Sequence, residues 1–121
     1  MSELKVLLVD DEEELVSTLV ERLEFRQINS EYVLSGAAAI QRMRDAKFDV
    51  VVLDLKLPGI SGIETMRVIK KEHPEVPVIL ITGHGSPLSS DDVPKGAFDY
   101  LPKPIDLDTL VQKIKEAAAV K

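Results

Sequence analysis

Five side chains capable of chemistry sit just beyond short apolar runs. Asp10 and Asp11 follow Val6-Leu7-Leu8-Val9, and Asp54 follows Val50-Val51-Val52-Leu53. Thr82 follows Val78-Ile79-Leu80-Ile81, and Lys103 follows Ala97-Phe98-Asp99-Tyr100-Leu101 across Pro102. If these runs are strands of one sheet, three carboxylates, a hydroxyl and an ammonium meet at one sheet edge, where open parallel sheets bind ligands. Two carboxylates about 4–5 Å apart repel by roughly 3–4 kcal/mol at an effective dielectric near 20. Either one of them stays protonated or a cation neutralises the group. Oxygen-only ligands suit a hard ion such as Mg²⁺. An Asp carboxylate is also a nucleophile toward phosphorus and forms an acyl phosphate. Phosphoryl transfer needs little beyond positioning and charge stabilisation. Lys103, Thr82 and a metal ion can each take one of the equatorial oxygens.

The elements that must position these groups are legible in the apolar pattern. The three Val/Ile/Leu runs are short, mostly β-branched and non-alternating, as strands buried on both faces of a parallel sheet are. Ala97–Leu101 is a fourth strand candidate, and Glu31-Tyr32-Val33-Leu34 a weaker fifth with the character of an edge strand. Between them, Leu15, Val16, Leu19, Val20 and Leu23 make one apolar helix face. Asp11 is placed to cap that helix, and Glu12, Glu13 and Glu14 suit the positive end of its dipole. Ala37–Arg44 reads as a short Ala-rich helix. Ser61 with Glu64 forms a capping-box pattern that opens a helix through Ile63, Met66 and Ile69, closed by Pro74 and Pro77. Asp106 caps a last helix whose face is Leu107, Leu110, Val111, Ile114 and Ala118. The alternation predicts one α/β domain over residues 1–121: a doubly wound parallel sheet of five strands, order 2-1-3-4-5, with helices on both faces.

Composition bounds the function. The 121 residues contain no cysteine, which removes disulfides, thiolate catalysis and Cys-ligated zinc. A net charge of −6 argues against nucleic-acid binding by this segment, which would need a basic face. No stretch approaches the roughly 18 consecutive apolar residues of a membrane span. Met1-Ser2-Glu3-Leu4-Lys5 is too polar for a signal peptide, so the expectation is a cytoplasmic protein.

Four segments in order resemble the receiver domain of two-component response regulators, and the resemblance covers the whole chain. They are Val9-Asp10-Asp11-Glu12, then Asp54-Leu55-Lys56-Leu57-Pro58-Gly59-Ile60-Ser61-Gly62, then Ile81-Thr82-Gly83-His84-Gly85, and Gly96-Ala97-Phe98-Asp99-Tyr100-Leu101-Pro102-Lys103-Pro104. The resemblance implies a phosphorelay switch in which Asp54 accepts a phosphoryl group from a histidine kinase, a phosphotransfer protein or a small phosphodonor. It implies that Asp11 and Asp54 ligate Mg²⁺ directly, Asp10 through water, and Lys56 through its backbone carbonyl. Thr82 and Lys103 would contact the phosphoryl group, and the Lys103–Pro104 bond would be cis. Thr82 and Tyr100 would form the switch, and Lys56 and His84 would tune dephosphorylation. Beyond catalysing its own phosphorylation and dephosphorylation, such a domain is no enzyme. Its partners would be the kinase and an output domain or effector, with neither nucleic acid nor membrane bound directly and a homodimer left open. The expectation covers both a stand-alone regulator and a receiver belonging to a longer chain.

Residues 86–95, where the family has its fourth helix, depart from the pattern. Pro87 and Pro94 and the few large apolar residues predict a short or irregular element.

Single residues carry blander readings: Asp11 as a helix cap only, Thr82 as a turn hydroxyl, Lys103 as a surface lysine, Tyr100 as a core residue with its hydroxyl at the surface. His73 reads as a helix end and His84 as an exposed loop residue rather than a metal ligand. The alternative function is a phospho-independent interaction module on the same fold. An Asp-nucleophile hydrolase would want an acid two residues after Asp54, where Lys56 stands. A flavodoxin-type carrier would want a phosphate loop where Asp10-Asp11-Glu12 stands.

Overall fold

The computed structural model describes residues 4–83 and 96–119. Among these, the strands are β1 (Lys5–Val9), β2 (Asn29–Val33), β3 (Val50–Asp54), β4 (Val78–Thr82) and β5 (Asp99–Pro102). The helices are α1 (Glu13–Phe25), α2 (Gly36–Asp45), α3 (Gly62–Glu72) and α4 (Leu107–Ala119). The sheet is parallel throughout, in the order β2-β1-β3-β4-β5. This is the expected doubly wound α/β architecture. His84 and residues 86–95, for which tuning and an irregular helix were expected, lie outside the described residues.

Period-two alternation explains how three unbroken apolar strands serve two cores. Val6, Leu8, Val50, Val52, Ile79 and Ile81 face one side and pack against Val16, Leu19 and Leu23 of α1 and Leu110, Val111 and Ile114 of α4. Leu7, Val9, Val51, Leu53, Val78 and Leu80 face the other and pack against Ala39 and Met43 of α2 and Met66 and Ile69 of α3. Every residue of β3 and β4 is buried. β2 is the edge strand expected, with a register that runs Lys5↔Asn29 to Val9↔Val33.

Two caps are as predicted. The Ser61 hydroxyl accepts from the Glu64 N–H at 3.2 Å, and the Asp106 carboxylate accepts from the Thr109 N–H at 2.9 Å. The first helix differs. Its N-cap is Glu12, which makes no side-chain cap bond, and Asp11 lies one residue further out and exposed. The reason is local: the Asp10 carboxylate takes the Glu12 N–H at 3.0 Å, so the chain turns there before the helix begins. β5 starts at Asp99 rather than Ala97 and ends on Pro102. An edge position tolerates that proline, since no further strand has to accept its missing N–H.

The loop after β3 is pressed closely against the strand it leaves. Gly62 opens α3 and donates its N–H to the Leu55 carbonyl at 3.1 Å. A Cβ at Gly62 would lie 2.3 Å from the Asp54 carbonyl oxygen and 2.5 Å from Leu55 Cα. Gly59 is in the left-handed region, with φ 72°, yet has open space around it. Gly62→Ala is therefore expected to lose at least about 2–3 kcal/mol in urea unfolding by forcing backbone apart. Gly59→Ala should lose only about 1 kcal/mol, for the conformation alone. Equal losses would mean that α3 is not seated on the Asp54–Leu55 backbone as described.

Candidate functional site

The carboxyl ends of β1, β3, β4 and β5 deliver the site. In register, Val9 lies beside Leu53, Asp54 beside Ile81, and Thr82 beside Pro102. Asp54 is the last residue of β3, and Asp10 directly follows β1 with its N–H on the Val33 carbonyl at 3.3 Å. Both side chains are buried.

Each buried acid is held by the same device. Asp10 Oδ1 accepts the N–H of Glu12 and Asp54 Oδ1 accepts the N–H of Lys56, both at 3.0 Å. A short carboxylate that bonds backbone two residues ahead makes a turn and fixes its own rotamer. In both cases Oδ2 is left to face the other acid. Lys103 fills the space between. Its backbone N–H donates to the Thr82 carbonyl at 3.1 Å, which sets where the side chain starts. Its Nζ then lies 3.1 Å from Asp54 Oδ2, 3.1 Å from Asp10 Oδ2 and 2.5 Å from Glu12 Oε1. The side chains of Asp10, Asp54, Lys103 and Glu12 are 0%, 3%, 15% and 60% exposed, so the group opens to solvent on the Glu12 side.

The ammonium only partly satisfies the acids. Asp10 Oδ2 is buried and accepts no hydrogen bond, since Lys103 faces it at ion-pair distance but off the bonding direction. Burial, and then the neighbouring Asp54 charge, push the Asp10 carboxyl above its ordinary value, against the opposing pull of the Glu12 N–H and Lys103. Burial by itself would lower the Lys103 ammonium. Its contacts with Glu12, Asp54 and Asp10 outweigh that and hold it well above the ordinary lysine value. With three carboxylates and one ammonium, the group carries a surplus of negative charge. Oxygens of Asp10, Glu12 and Asp54 lie within 4.8 Å of one another. An all-oxygen set of this spacing, with one buried oxygen still lacking a donor, fits a hard divalent cation such as Mg²⁺.

The remaining expected residues surround this centre. Thr82 is buried at the end of β4, and its hydroxyl reaches the Leu101 carbonyl at 3.4 Å, near the outer limit for such a bond. The Lys103–Pro104 peptide is cis. Tyr100 lies opposite Leu80 and packs, partly buried, against the core on the α2–α3 side. Lys56 is exposed, and its side chain lies over Gly83, where an added Cβ would be 3.6 Å from Lys56 Cδ. Asp11 is exposed and is not in the group of three clustered acids. Glu12 is in that group, although by its position in the sequence it reads only as a helix-dipole acid. The signal was available in the i, i+2 turn that an Asp at a strand end tends to form, which folds the next-but-one residue back over it.

Comparison with known proteins gives the family. The family model "Response regulator receiver domain" matches residues 6–115. An NtrX-like response regulator of Rickettsia felis is 35% identical over 99% of this chain and 26% of its own length. The transcriptional regulatory protein CpxR of Escherichia coli K12 is 38% identical over 92% of this chain and 47% of its own. The chain thus spans about a quarter to a half of these relatives. Among solved structures, a CheY-like receiver domain protein from Methanospirillum hungatei JF-1 superposes with a TM-score of 0.89 at 26% identity, covering 98% of this chain and 96% of that one. The receiver domain of NtrX from Brucella abortus gives 0.87 at 28% identity, covering 96% and 99%.

A raised carboxyl has a defined pH signature. Ionised Asp10 lowers stability at neutral pH, because the folded state would rather hold the proton than the unfolded state would. That penalty is complete above the folded-state value and disappears below the ordinary value of 3.8. Asp10→Asn is therefore expected to raise the thermal unfolding midpoint at pH 7 in metal-free buffer. The gain should shrink as pH falls toward 3.8. A mutant less stable than wild type at pH 7 would show that Asp10 is adequately compensated by Lys103.

Proposed function

Because the chain belongs to the response regulator receiver domain family, we propose that it is a phospho-accepting switch of a two-component system in which Asp54 takes the phosphoryl group. The observation that carries this reading is the Asp54 carboxylate itself: buried at a strand end, fixed by the Lys56 N–H and 3.1 Å from the Lys103 ammonium. A group held this way cannot turn aside, and its charge is set beside a cation that can follow it into the product.

In the reaction a carboxylate oxygen of Asp54 attacks phosphorus in line with the leaving group. The bond from phosphorus to the donor's imidazole nitrogen, or to the acyl oxygen of a small donor, breaks as the new P–O bond forms. The electron pair leaves with the donor: the imidazole nitrogen departs as neutral imidazole, its ring carrying one proton, and the acyl oxygen departs as a carboxylate that needs none. Lys103 supplies a full positive charge to one equatorial oxygen. Thr82 gives up its long bond to Leu101 and donates to another. Of the clustered acids, Asp10 and Asp54 would hold Mg²⁺, with Asp11 and the Lys56 backbone carbonyl, while Glu12 stays paired with Lys103, and the bound ion would offset the charge of acids and phosphoryl group together. Tyr100 then turns inward as Thr82 moves, carrying the signal to the β5 edge of the sheet. Lys56, over the mouth of the site, and His84 tune the attack of water on the acyl phosphate.

The donor partner is a histidine kinase or phosphotransfer protein, and the receiver of the signal is an output domain or effector. The work is done in the cytoplasm, by one domain over residues 1–121. No described helix is long and apolar enough to cross a membrane. With a net charge of −6, this domain reaches nucleic acid only through a partner.

Intact mass after incubation with acetyl phosphate is expected to show one added phosphoryl group in wild type with Mg²⁺. Neither metal-free wild type nor Asp54→Asn should gain it. Labelling of Asp54→Asn would remove Asp54 from this role. Separately, Mg²⁺ at about 100 times its Kd should stabilise the wild-type fold by roughly 2.7 kcal/mol. A melting temperature indifferent to Mg²⁺ would exclude the metal site.

A further inference from the structure

Three acids meet Lys103, and only two of them belong to the strand ends that build the reaction centre. We infer that Glu12 is a positioning residue that tethers the Lys103 ammonium on the solvent side of the acid cluster, so that a phosphoryl group on Asp54 must win the ammonium from it. This rests on the reading of Asp54 as the phosphorylated residue.

The geometry favours a tether over a chance surface pair. Glu12 Oε1 makes the shortest contact of Lys103, 2.5 Å against 3.1 Å for each buried acid. The ammonium donates hydrogen bonds to Glu12 and to Asp54, while Asp10 Oδ2 receives none. Lys103 thus stands as near to Asp10 as to Asp54 but turns its donors toward Glu12 and Asp54. The backbone of Glu12 is not free to drift, because its N–H is bound to Asp10 Oδ1 at 3.0 Å. The same turn that fixes one reaction-centre acid therefore aims Glu12 at the lysine. Its long, exposed side chain can swing into water once the ammonium is taken.

Charge gives the direction of the effect. An ammonium has three donors on a point charge. One is committed to Glu12, and the exposed carboxylate adds a negative charge at the open side, where an anionic phosphodonor enters. Removing that carboxylate frees a donor and lowers the repulsion together. Its loss should not unsettle the fold, since Glu12 makes no helix-cap bond and Glu13 and Glu14 remain in the first turn of α1.

The test compares wild type with Glu12→Gln and Glu12→Ala on the full chain. Three quantities are read: the acetyl phosphate labelling rate across donor and Mg²⁺ concentrations, the Mg²⁺ Kd by calorimetry without phosphodonor, and proton exchange at the Lys103 ammonium by ¹⁵N NMR. Both variants are expected to phosphorylate roughly fivefold faster at saturating donor, the size expected for loss of a solvent-facing ion pair. Their Mg²⁺ Kd should stay within about threefold of wild type, and the Lys103 ammonium should exchange faster. A Mg²⁺ Kd weakened tenfold or more with slower labelling would assign Glu12 to the metal and overturn the tether. Unchanged labelling and unchanged ammonium exchange would overturn it as well. Labelling of Asp54→Asn would sink the Asp54 reading instead, and the ammonium exchange, measured without donor, would still decide whether Glu12 holds Lys103.

Discussion

Burying the carboxylates of Asp10 and Asp54 side by side is the constraint on which the rest of this structure depends. Two acids removed from water at the ends of neighbouring strands repel each other, and neither can retreat, because each is locked by a backbone N–H two residues on. A cation must therefore stand between them. Lys103 does so from the far side of the sheet, across β4. It can reach only because β5 pairs in register and hands the Lys103 N–H to the Thr82 carbonyl. The parallel sheet is thus the frame that brings residues far apart in sequence within one ammonium's reach.

That arrangement separates rigid parts from adjustable ones. β3 and β4 are buried along their whole length and clamped between two apolar layers, so Asp54 has little freedom. The tight seat of Gly62 against the Asp54–Leu55 backbone extends this stiffness into the following loop. Thr82 and Tyr100 are held differently. The hydroxyl makes one long bond, and the aromatic ring sits partly buried on the edge strand. On the proposed function, a new anion at Asp54 would act on the loosely held groups, because the tightly held ones have no second arrangement to adopt.

The electrostatics also explain why one lysine is not enough. Three carboxylates around one ammonium leave an excess of negative charge and one buried oxygen without a donor. Protein side chains by themselves therefore neutralise this group incompletely. The charges that burden stability, with Asp10 raised above its ordinary value, are the ones a divalent cation would neutralise.

The apolar runs by themselves determined much of this protein. Short β-branched strands, each followed by a polar residue, dictate a parallel sheet and place Asp10, Asp54, Thr82 and Lys103 at one edge, because strand exits in such a sheet share a side. Ser61 and Asp106 likewise announced their helices, since a cap acts on backbone only three residues away. Other features were decided by the tertiary structure. Asp11 as the cap of α1 gave way to a turn in which the buried Asp10 carboxylate takes the Glu12 N–H, so that the helix starts one residue later. Glu12 joined the site through its contact with an ammonium 91 residues away in the chain. Local sequence reports what a residue does to its near neighbours. Which of three adjacent acids faces Lys103 depends on how β1 and β5 are brought together across the sheet.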